Sequence, residues 1–566
     1  MANREVTRRS VLAVGVAASA GIAFPPRSIH GAPKRATKRR LLFNCDGSVI
    51  HCWGNTVFPQ SKGPLTRKQF TSLVFTPIEN SGVDAVLFSF GSGNIAEYQS
   101  NVLEWPGEAD GFKFPAGRSW HGGVEVDAKN QYLNPKSLAD AGHNPPKVIV
   151  EECHRRGMAA FVSLRMNDTH DGQHPKDQFP NPELPTFKRH NPDWLLQDLH
   201  RWSALDYRKP QVRRLKLRVI EEFFDRWDFD GIELDWLRHT MYFPRGTEQK
   251  NAKYLTDFVR AVRKSLNDRA ARRGRKIEIA VRIPERLSWC KLGGFDVPSW
   301  IEEDLFDTLI LGQGLTESVG IDGFRRLMKK RELPVYPCLA PYGNGYPISP
   351  DEVIRGNAAN LWRDGADGIY AFNWFNHGTW RKKLLSQISD PGSLKNKNKH
   401  YALVRRFDAD RHAGSDHLRF NTAYRDAHVP AELKTSAGPH VLQLPVAEKP
   451  QQAELWIALE HARPGDAITA KLNGHDLQLM KSEAEGSLSK VGYTLAIPPN
   501  QGMIGLPFKK SLDMRFQALR WSVPVNAIVT GRNQLSLQLT SRGGGSDKPL
   551  RVTRVELAAG ATRSSP

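Results

Sequence analysis

The stretch Phe229-Asp-Gly-Ile-Glu-Leu-Asp-Trp236 is the part of this 566-residue chain from which the fold is most directly predicted. Apolar and acidic side chains alternate along it, so a β-strand would place the apolar ones on one face and Glu233 and Asp235 on the other. In a barrel of parallel strands the apolar face packs against surrounding helices, and both acids then point inward. Such interiors normally hold Val, Ile and Leu, so two inward acids indicate either a reaction site or a buried network of ion pairs.

Short apolar runs of the same kind alternate with amphipathic helical patterns over the first two-thirds of the chain. The eight strand candidates are Arg40–Cys45, Ala85–Phe90, Ala159–Arg165, Gly231–Trp236, Ile277–Ile283, Thr308–Leu311, Val335–Leu339 and Gly368–Phe375. The helical patterns between them include Pro145–Arg156, Lys209–Asp228, Thr247–Arg273 and Asp351–Asp364. Alternating β and α units favour a parallel sheet, and eight of them predict an α/β fold, a closed (β/α)8 TIM barrel at residues 40–390.

The pattern changes after the predicted barrel. Residues 391–424 are interpreted as a linker, and from residue 425 helical signals fade while short alternating runs separated by turns appear. These runs are His440–Pro445, Ala453–Leu459, Ala467–Leu472, Tyr493–Ile497, Leu535–Leu539 and Leu550–Leu557, and Asn473-Gly474 is typical of a hairpin turn. The pattern predicts a C-terminal β-sandwich at residues 425–560.

The N-terminus resembles an export signal. Thr7-Arg-Arg-Ser-Val-Leu12 precedes a weakly apolar run, so residues 1–32 are predicted to be a twin-arginine signal peptide, and the protein to be periplasmic or extracellular. The run is too short to span a membrane, and no integral membrane association is predicted. Residues 1–40 contain nine Lys or Arg and one acid, and thus carry +8 of the formal net charge of +20. The remaining basic runs are typical of solvated helix faces, so no nucleic-acid partner is predicted.

A second strand supplies a partner for Asp235. In Ile277-Glu-Ile-Ala-Val-Arg-Ile-Pro-Glu285 the branched residues form the helix-facing set, so Arg282 points inward beside Asp235. An adjacent arginine keeps a carboxylate ionised, as a nucleophile or charge stabiliser requires. Glu285 follows the strand and is the candidate general acid. The predicted catalytic set is therefore Asp235 and Glu285, with Glu233 and Arg282 as orienting groups.

The five cysteines form no pattern of metal ligands. None lies in a CxxC pair, and no His–Cys spacing fits a zinc site. Several lie in or beside apolar runs, where a buried thiol behaves as a small hydrophobe. Free buried cysteines are favoured, with a Cys45–Cys52 bridge as the alternative. Neither a metal nor a cofactor is predicted.

The segment from Phe229 to His239 resembles the strand-4 signature of the family 10-like glycosyl hydrolases, in which Asp-Gly-Ile-x-x-Asp precedes an aromatic/Arg/Pro segment, here Trp236, Arg238 and Pro244. The resemblance covers roughly residues 40–390 and implies cleavage of glycosidic bonds in a poly- or oligosaccharide. Chitinase-like barrels carry a Glu where this chain has Leu237, so the resemblance does not extend to their mechanism. An Asp on strand 4 with a Glu after strand 5 is instead similar to the layout of amylase-like barrels.

The C-terminal region is similar to the jelly-roll accessory modules of glycosidases. The similarity lies in Lys471-Leu-Asn-Gly-His475, Trp521-Ser-Val-Pro-Val525 and Thr530-Gly-Arg-Asn-Gln-Leu-Ser-Leu537. Such modules either bind sugar or pack on the barrel, and the sequence leaves both roles open.

Polar and aromatic residues follow most of the predicted strands at the carboxyl end, where active sites of these barrels lie. A sugar site needs planar hydrogen-bonding groups for hydroxyls and aromatic faces for rings. The predicted carbohydrate-binding residues are Asp46, His51, Arg165, Asn167, Asp168, Arg238, Gln313, Tyr342, Asn373 and Trp374. Trp374 fits barrel packing equally well, and His51 and His170 fit loop hydrogen bonding.

Two other functions remain open from the sequence. One is a carbohydrate-binding barrel without catalysis, because no second carboxylate lies within the candidate strands 5 to 7 at the catalytic end. The other is a metal-assisted hydrolase in which Asp46, Asp168 and His170 supply oxygen and nitrogen ligands.

Overall fold

Eight parallel strands close into a barrel, in which each strand pairs with its neighbours in sequence and the eighth pairs with the first. The strands are β1 Leu41–Cys45, β2 Ala85–Phe88, β3 Ala159–Arg165, β4 Gly231–Asp235, β5 Glu278–Ile283, β6 Thr308–Leu311, β7 Val335–Leu339 and β8 Ile369–Phe372. All eight lie within the predicted runs, so the predicted (β/α)8 barrel is confirmed.

The computed structural model describes residues 39–51, 53, 63–108, 118–121, 124–172, 182–197, 202–314, 319–329, 331–341, 346, 348–374, 381–404, 428–480, 488–496, 511–545 and 548–560. The predicted twin-arginine signal at residues 1–32 lies outside this part of the chain, as do Cys52 and Tyr342. Cys45, Cys153, Cys290 and Cys338 are free and buried, as predicted.

Helices lie in the connections between the barrel strands and after the last of them. They are α1 Ser48–His51, α2 Arg67–Phe75, α3 Ala128–Asp140, α4 Pro145–Arg155, α5 Thr186–His190, α6 Pro210–Arg226, α7 Glu248–Arg273, α8 Leu287–Gly293, α9 Val297–Glu302, α10 Ile321–Met328, α11 Asp351–Arg363, α12 Lys382–Ile388 and α13 Pro391–Leu394. Residues 118–121 and 124–127 form a short hairpin in the long connection after β2. Among the described residues no helix is both long and apolar enough to cross a membrane.

The strands divide their side chains between two apolar cores. Ile232, Leu234 and Trp236 join the large core between the barrel and its helices. Inward residues such as Phe161 and Tyr336 fill the barrel itself. Their rings require glycine on the neighbouring strand, because a Cβ at Gly231 would lie 2.4 Å from the Phe161 ring. The same holds at Gly368, where a Cβ would lie 2.5 Å from the Tyr336 ring.

Four aspartates hold the base of the barrel, one before each even-numbered strand. Asp84, Asp230, Asp307 and Asp367 each donate a backbone N–H to a carbonyl of the preceding strand and accept, through Oδ2, the N–H of that same residue. For Asp230 the partner is Ala160, with bonds of 2.9 and 2.8 Å. Because this aspartate is bound into the base, the Asp-Gly-Ile part of the motif is structural, and only its later acids can face the reaction site.

Replacing Asp230 by Ala is expected to lower the free energy of unfolding by about 1–3 kcal/mol, because the Ala160 N–H then loses its acceptor. The Arg275 guanidinium, 2.7 Å from the same carboxylate, also loses its partner. Urea denaturation measures the loss. The matched variant Asp230→Asn keeps an acceptor oxygen and should lose less, and an equal loss in both variants would contradict the role of the hydrogen bond.

The C-terminal region consists of antiparallel strands that form two main sheets on a shared apolar core. One contains β9 Lys399–Val404, β10 Ala431–Leu433, β12 Gln452–Glu460, β15 Gln478–Leu479, β16 Ser489–Val491, β19 Phe516–Val523 and β21 Leu550–Gly560. The other contains β11 His440–Val446, β13 Ala467–Leu472, β14 His475–Asp476 and β20 Gly531–Ser541, and β17 Thr494–Ala496 pairs with β18 Ser511–Asp513. Asn473 and Gly474 turn between β13 and β14 with positive φ, as the sequence predicts. Strand β9 lies within the stretch that the sequence pattern predicts to be a linker.

A buried polar cluster joins this region to the barrel. Glu556 of β21 accepts hydrogen bonds from Tyr346, which lies in the connection after β7, and from Tyr493 at 2.8 Å. Arg554 stacks over the Tyr346 ring at 4.0 Å, and His400 Nδ1 lies 3.2 Å from the Glu556 carboxylate. The C-terminal sheets therefore contact a connection on the carboxyl side of the barrel strands.

Candidate active site

Glu233 points into the barrel, as the alternation predicts. Its Oε1 accepts a hydrogen bond of 2.6 Å from the Tyr370 hydroxyl on β8, and its Oε2 accepts one of 3.2 Å from the Asn44 amide on β1. These strands lie across the interior from β4, so the side chain occupies the centre of the barrel, where it is fully buried.

Asp235 lies one inward position nearer to the mouth, with 2% of its surface exposed. Its Oδ2 is 3.2 Å from Arg282 Nη1, and its Oδ1 accepts the Leu237 N–H at 3.0 Å. Asp235 and Arg282 are paired in the register of β4 and β5, so the predicted inward pairing is confirmed. The guanidinium also stacks on Phe372 at 4.0 Å and donates to the Gly312 carbonyl at 3.1 Å, which fixes its position.

Burial and the neighbouring Asp235 raise the pKa of Glu233 to about 7. The ordinary pKa near 4.5 applies to the unfolded chain, so between these values the folded protein binds the extra proton. The contribution of Glu233 to stability is therefore fully present below about pH 4.5 and is lost as the pH rises through about 7. Arg282 is shared between the two acids and favours only one negative charge.

Glu233→Gln removes this titration while preserving the size of the side chain. The variant is expected to be as stable as the wild type near pH 5 and more stable than it near pH 8. The difference between the two urea midpoints, measured across this range, checks the expectation. A constant difference at all pH values would mean that Glu233 does not titrate there.

Glu285 lies on the same rim but is also buried, with 1% of its surface exposed. Its carboxyl group is against Gly312, where a Cβ would be 3.5 Å from the carboxyl carbon. Because Arg282 binds the carbonyl of Gly312, this glycine separates the predicted acid from the ion pair of Asp235. The two predicted catalytic acids are thus brought to neighbouring parts of the barrel mouth.

A second group of charged side chains surrounds Asp46, just after β1. Its Oδ2 accepts from Asn373 Nδ2 at 2.9 Å and lies 3.3 Å from Arg238 and 3.7 Å from Arg165. Asn373 holds a left-handed backbone with φ of 50°. Asp46, Arg165, Arg238 and Asn373 are brought together by four different strands, in agreement with their predicted convergence.

A third group lies beside it, after β3. Asp168 Oδ2 is 3.0 Å from Arg165 Nη1, and its Oδ1 accepts from His170 Nδ1 at 2.7 Å and from the His170 backbone N–H at 2.8 Å. Although burial opposes it, the interactions of the Asp168 carboxylate with His170 and with the Arg165 guanidinium hold the pKa of Asp168 well below its usual range. The ring of His239 stands edge-on to His170 at 4.9 Å.

Asp168, His170 and His239 bring possible ligand atoms within 4.8 Å of one another, which raises the question of a metal site. However, Arg165 and His170 already occupy both oxygens of Asp168. His239 Nδ1 accepts the Thr169 N–H at 2.9 Å, so the neutral ring carries its proton on Nε2 and cannot coordinate there. The arrangement fits a hydrogen-bonded network better than a cation site.

The remaining predicted residues have different surroundings. Asn167 uses its amide inside the protein, where it bonds Leu205 and the Met241 carbonyl. Trp374 is fully buried in the large core between the barrel and its helices. This position agrees with the alternative that Trp374 serves barrel packing. His51 is buried, with Nε2 2.8 Å from Glu97, and Gln313 is partly exposed after β6. Tyr342 lies outside the described residues.

Three residues near this site were not predicted from the sequence. Glu97 pairs with His51, and burial raises the pKa of Glu183, which lies near His170. His239 lies four residues after the end of β4, within the motif that carries the family resemblance. Its position in that motif could have identified it as a site residue. Glu97 and Glu183 come from long connections, where no periodicity indicates the direction of a side chain.

No family model matches the chain, and none of the curated proteins does. Solved structures with a similar barrel include α-L-fucosidase isoenzyme 2 from Paenibacillus thiaminolyticus, at 11% identity and a TM-score of 0.36, over 62% of this chain and 49% of that one. This chain thus spans about half the length of that fucosidase. The PgaB (BpsB) glycoside hydrolase domain from Bordetella bronchiseptica matches at 12% identity and a TM-score of 0.35, over 62% and 99%. A group IV chitinase from Ostrinia furnacalis matches at 7% identity and 0.35, over 62% and 97%. These structures are glycoside hydrolases, but likeness at these TM-scores carries no argument about this chain, whose barrel is shown by its own strand pairing.

Proposed function

We propose that this protein hydrolyses glycosidic bonds of a poly- or oligosaccharide at the carboxyl end of its barrel. The observation that carries the proposal is Asp235, an acid at the end of β4 whose two oxygens are held by Arg282 and the Leu237 N–H. An acid positioned in this way can stabilise positive charge at the anomeric carbon, either by direct attack or by electrostatics. The groups around Asp46 and Asp168 supply the hydrogen bonds that sugar hydroxyls need.

In this proposal Glu285 is the general acid that protonates the leaving oxygen. Its position beside Gly312 supports the role, because the same glycine carbonyl binds the arginine that holds Asp235. A separation between the carboxyl groups of about 5–5.5 Å in the substrate complex predicts retention at the anomeric carbon, and about 6.5–9.5 Å predicts inversion.

A panel of polysaccharides, with product analysis by mass spectrometry and NMR, tests the proposal. We expect release of reducing ends from at least one substrate and loss of that release in Glu285→Gln. The matched control is Glu278→Gln, which changes an acid at the opposite end of β5, where Glu278 pairs with Arg39. Unchanged turnover in Glu285→Gln would remove this residue from the mechanism.

A second candidate function is a barrel that binds carbohydrate without cleaving it. The low exposure of Asp235 and Glu285, 2% and 1%, favours this function. Glycan binding without release of reducing ends from any substrate would support it.

Three further proposals rest on the sequence alone. They are membership of the family 10-like glycosyl hydrolases, a jelly-roll character of the C-terminal sheets, and export through a twin-arginine signal. N-terminal sequencing of the exported protein tests the export signal.

A further inference from the structure

Asp168 and His170 form a hydrogen-bonded pair, called the dyad below, in which the acid is buried and the histidine is partly exposed to solvent. The Asp168 side chain is 1% exposed, whereas that of His170 is 34% exposed. The 2.7 Å bond from Nδ1 to Asp168 places the ring proton on Nδ1, so the lone pair of a neutral ring is on Nε2. Among the described residues no hydrogen bond engages this Nε2. A carboxylate on one nitrogen of a partly exposed ring is the arrangement that prepares histidine for proton transfer.

The acid is held rigidly, which separates this pair from an ordinary surface contact. Its carboxylate is bound by Arg165 and by the backbone N–H of His170. Its backbone carbonyl accepts from Asn94 at 2.9 Å, and Lys188 lies 3.5 Å from it. Asp168 can therefore keep its position, and His170 with it, when the histidine gains or loses a proton.

Both acidic and basic side chains surround His170. His239 stands edge-on to its ring, and Glu183 is the nearby carboxyl whose pKa burial raises. Arg165 lies on the far side of Asp168 and is paired with Asp235 in the register of β3 and β4. His51 and Glu97 form a neighbouring pair that interacts with Glu183 through charge. The dyad thus belongs to the same mouth as Asp235, one strand away.

We propose that His170 is a general base of this site and that Asp168 is its positioning residue. The proposal rests on the glycosidase function proposed above. His170 Nε2 takes a proton from a water molecule while the water oxygen bonds to the anomeric carbon. The glycosidic C–O bond breaks, and the leaving oxygen takes its proton from Glu285. The proton on His170 then passes to solvent, and Glu285 regains a proton from solvent, which returns both groups to their starting states.

The first test needs no substrate. Diethyl pyrocarbonate acylates neutral imidazole nitrogens, and peptide mass spectrometry follows the reaction at each histidine. At pH 8 we expect His170 to react at least threefold faster in the wild type than in Asp168→Leu, which removes the acceptor of Nδ1. His190, exposed on α5, is the internal control and should react equally in both proteins. Equal rates at His170 would overturn the positioning role of Asp168.

The second test uses a substrate that the wild type cleaves. His170→Ala is expected to lose about 10²–10⁴-fold in kcat with little change in KM, and added imidazole should restore part of the rate. A residue that only binds sugar or supports the loop would instead change KM or the melting temperature and would not respond to imidazole. Full kcat in His170→Ala overturns the inference while the proposed function stands.

Two further outcomes would show that His170 is not a general base. In the first the protein has no catalytic activity, and in the second His170 is a metal ligand. If the wild type cleaves no substrate, the proposed function fails, and with it the role of His170 as a base, although the acylation rates still report on the dyad. If Zn²⁺ raises the melting temperature of the wild type but not of His170→Ala or His239→Ala, the cluster binds a metal ion, and the general-base role is wrong.

Discussion

Replacing Asp235 by Asn is expected to lower kcat by about a thousandfold or more while the barrel stays folded. The amide cannot attack the anomeric carbon and cannot balance its positive charge. The fold should survive because Glu233 lies in the same buried group and shares Arg282. Once the charge at position 235 is removed, Glu233 can ionise in its place, and the arginine keeps a negative partner. The pKa of Glu233 should accordingly fall from about 7.

Steady-state kinetics on the substrate found in the polysaccharide panel measures this effect, with circular dichroism to verify the fold. Asp230→Asn is the matched control, since it alters an acid of the same segment at the opposite end of β4. Its kcat per folded molecule should equal that of the wild type. Wild-type kcat in Asp235→Asn would contradict the proposed chemistry and favour a binding protein.

Replacing Arg282 by Met is expected to have the largest effect on stability, a loss of about 3–5 kcal/mol in the free energy of unfolding. The guanidinium is fully buried, and its removal leaves Glu233 and Asp235 together without a cation in the barrel interior. Burial makes an unpaired charge costly, and methionine preserves the apolar contact with Phe372.

The double variant Arg282→Met/Asp235→Asn separates charge from packing. It is expected to recover a large part of the lost stability, because only Glu233 remains and can stay protonated near neutral pH. Urea denaturation of the wild type, both single variants and the double variant gives the four free energies of unfolding of a double-mutant cycle. Additive losses would show that Arg282 acts through its contacts with Phe372 and Gly312, without a charge interaction.

The parts of the site that lie on strands could be predicted from the sequence. Alternation along β4 and β5 determines which side chains face inward, and adjacent parallel strands then bring Asp235 and Arg282 together. The positions of loop residues follow no such rule. Asn167 is close in sequence to Asp168, yet its amide bonds Leu205 and Met241, and only the path of the loops explains this.

Long-range pairing accounts for the other differences. Strand β9 follows a short helix in a stretch with many lysines and asparagines, and it forms only because β21, more than a hundred residues later, pairs with it. Glu556 is likewise a buried acid, although it alternates with the apolar Val555 and Leu557 and the pattern alone predicts an exposed side chain. Its partners, Tyr346 and Tyr493, come from the barrel and from beside β17.

The four aspartates at the base of the barrel also determine where the chain can be divided. Each carboxylate binds the strand before its own, so the barrel consists of four two-stranded units, β1–β2, β3–β4, β5–β6 and β7–β8. Gly274, with φ of 70° at the end of α7, lies between the second and the third unit. A cut there leaves each half-barrel with the bonds from these carboxylates to its own strand N–H groups, although it separates Asp230 from Arg275 and Asp307 from Arg263. A cut between α6 and β4 instead separates Asp230 from Ala160. Gly274 is therefore the natural site for splitting this protein into two complementing fragments.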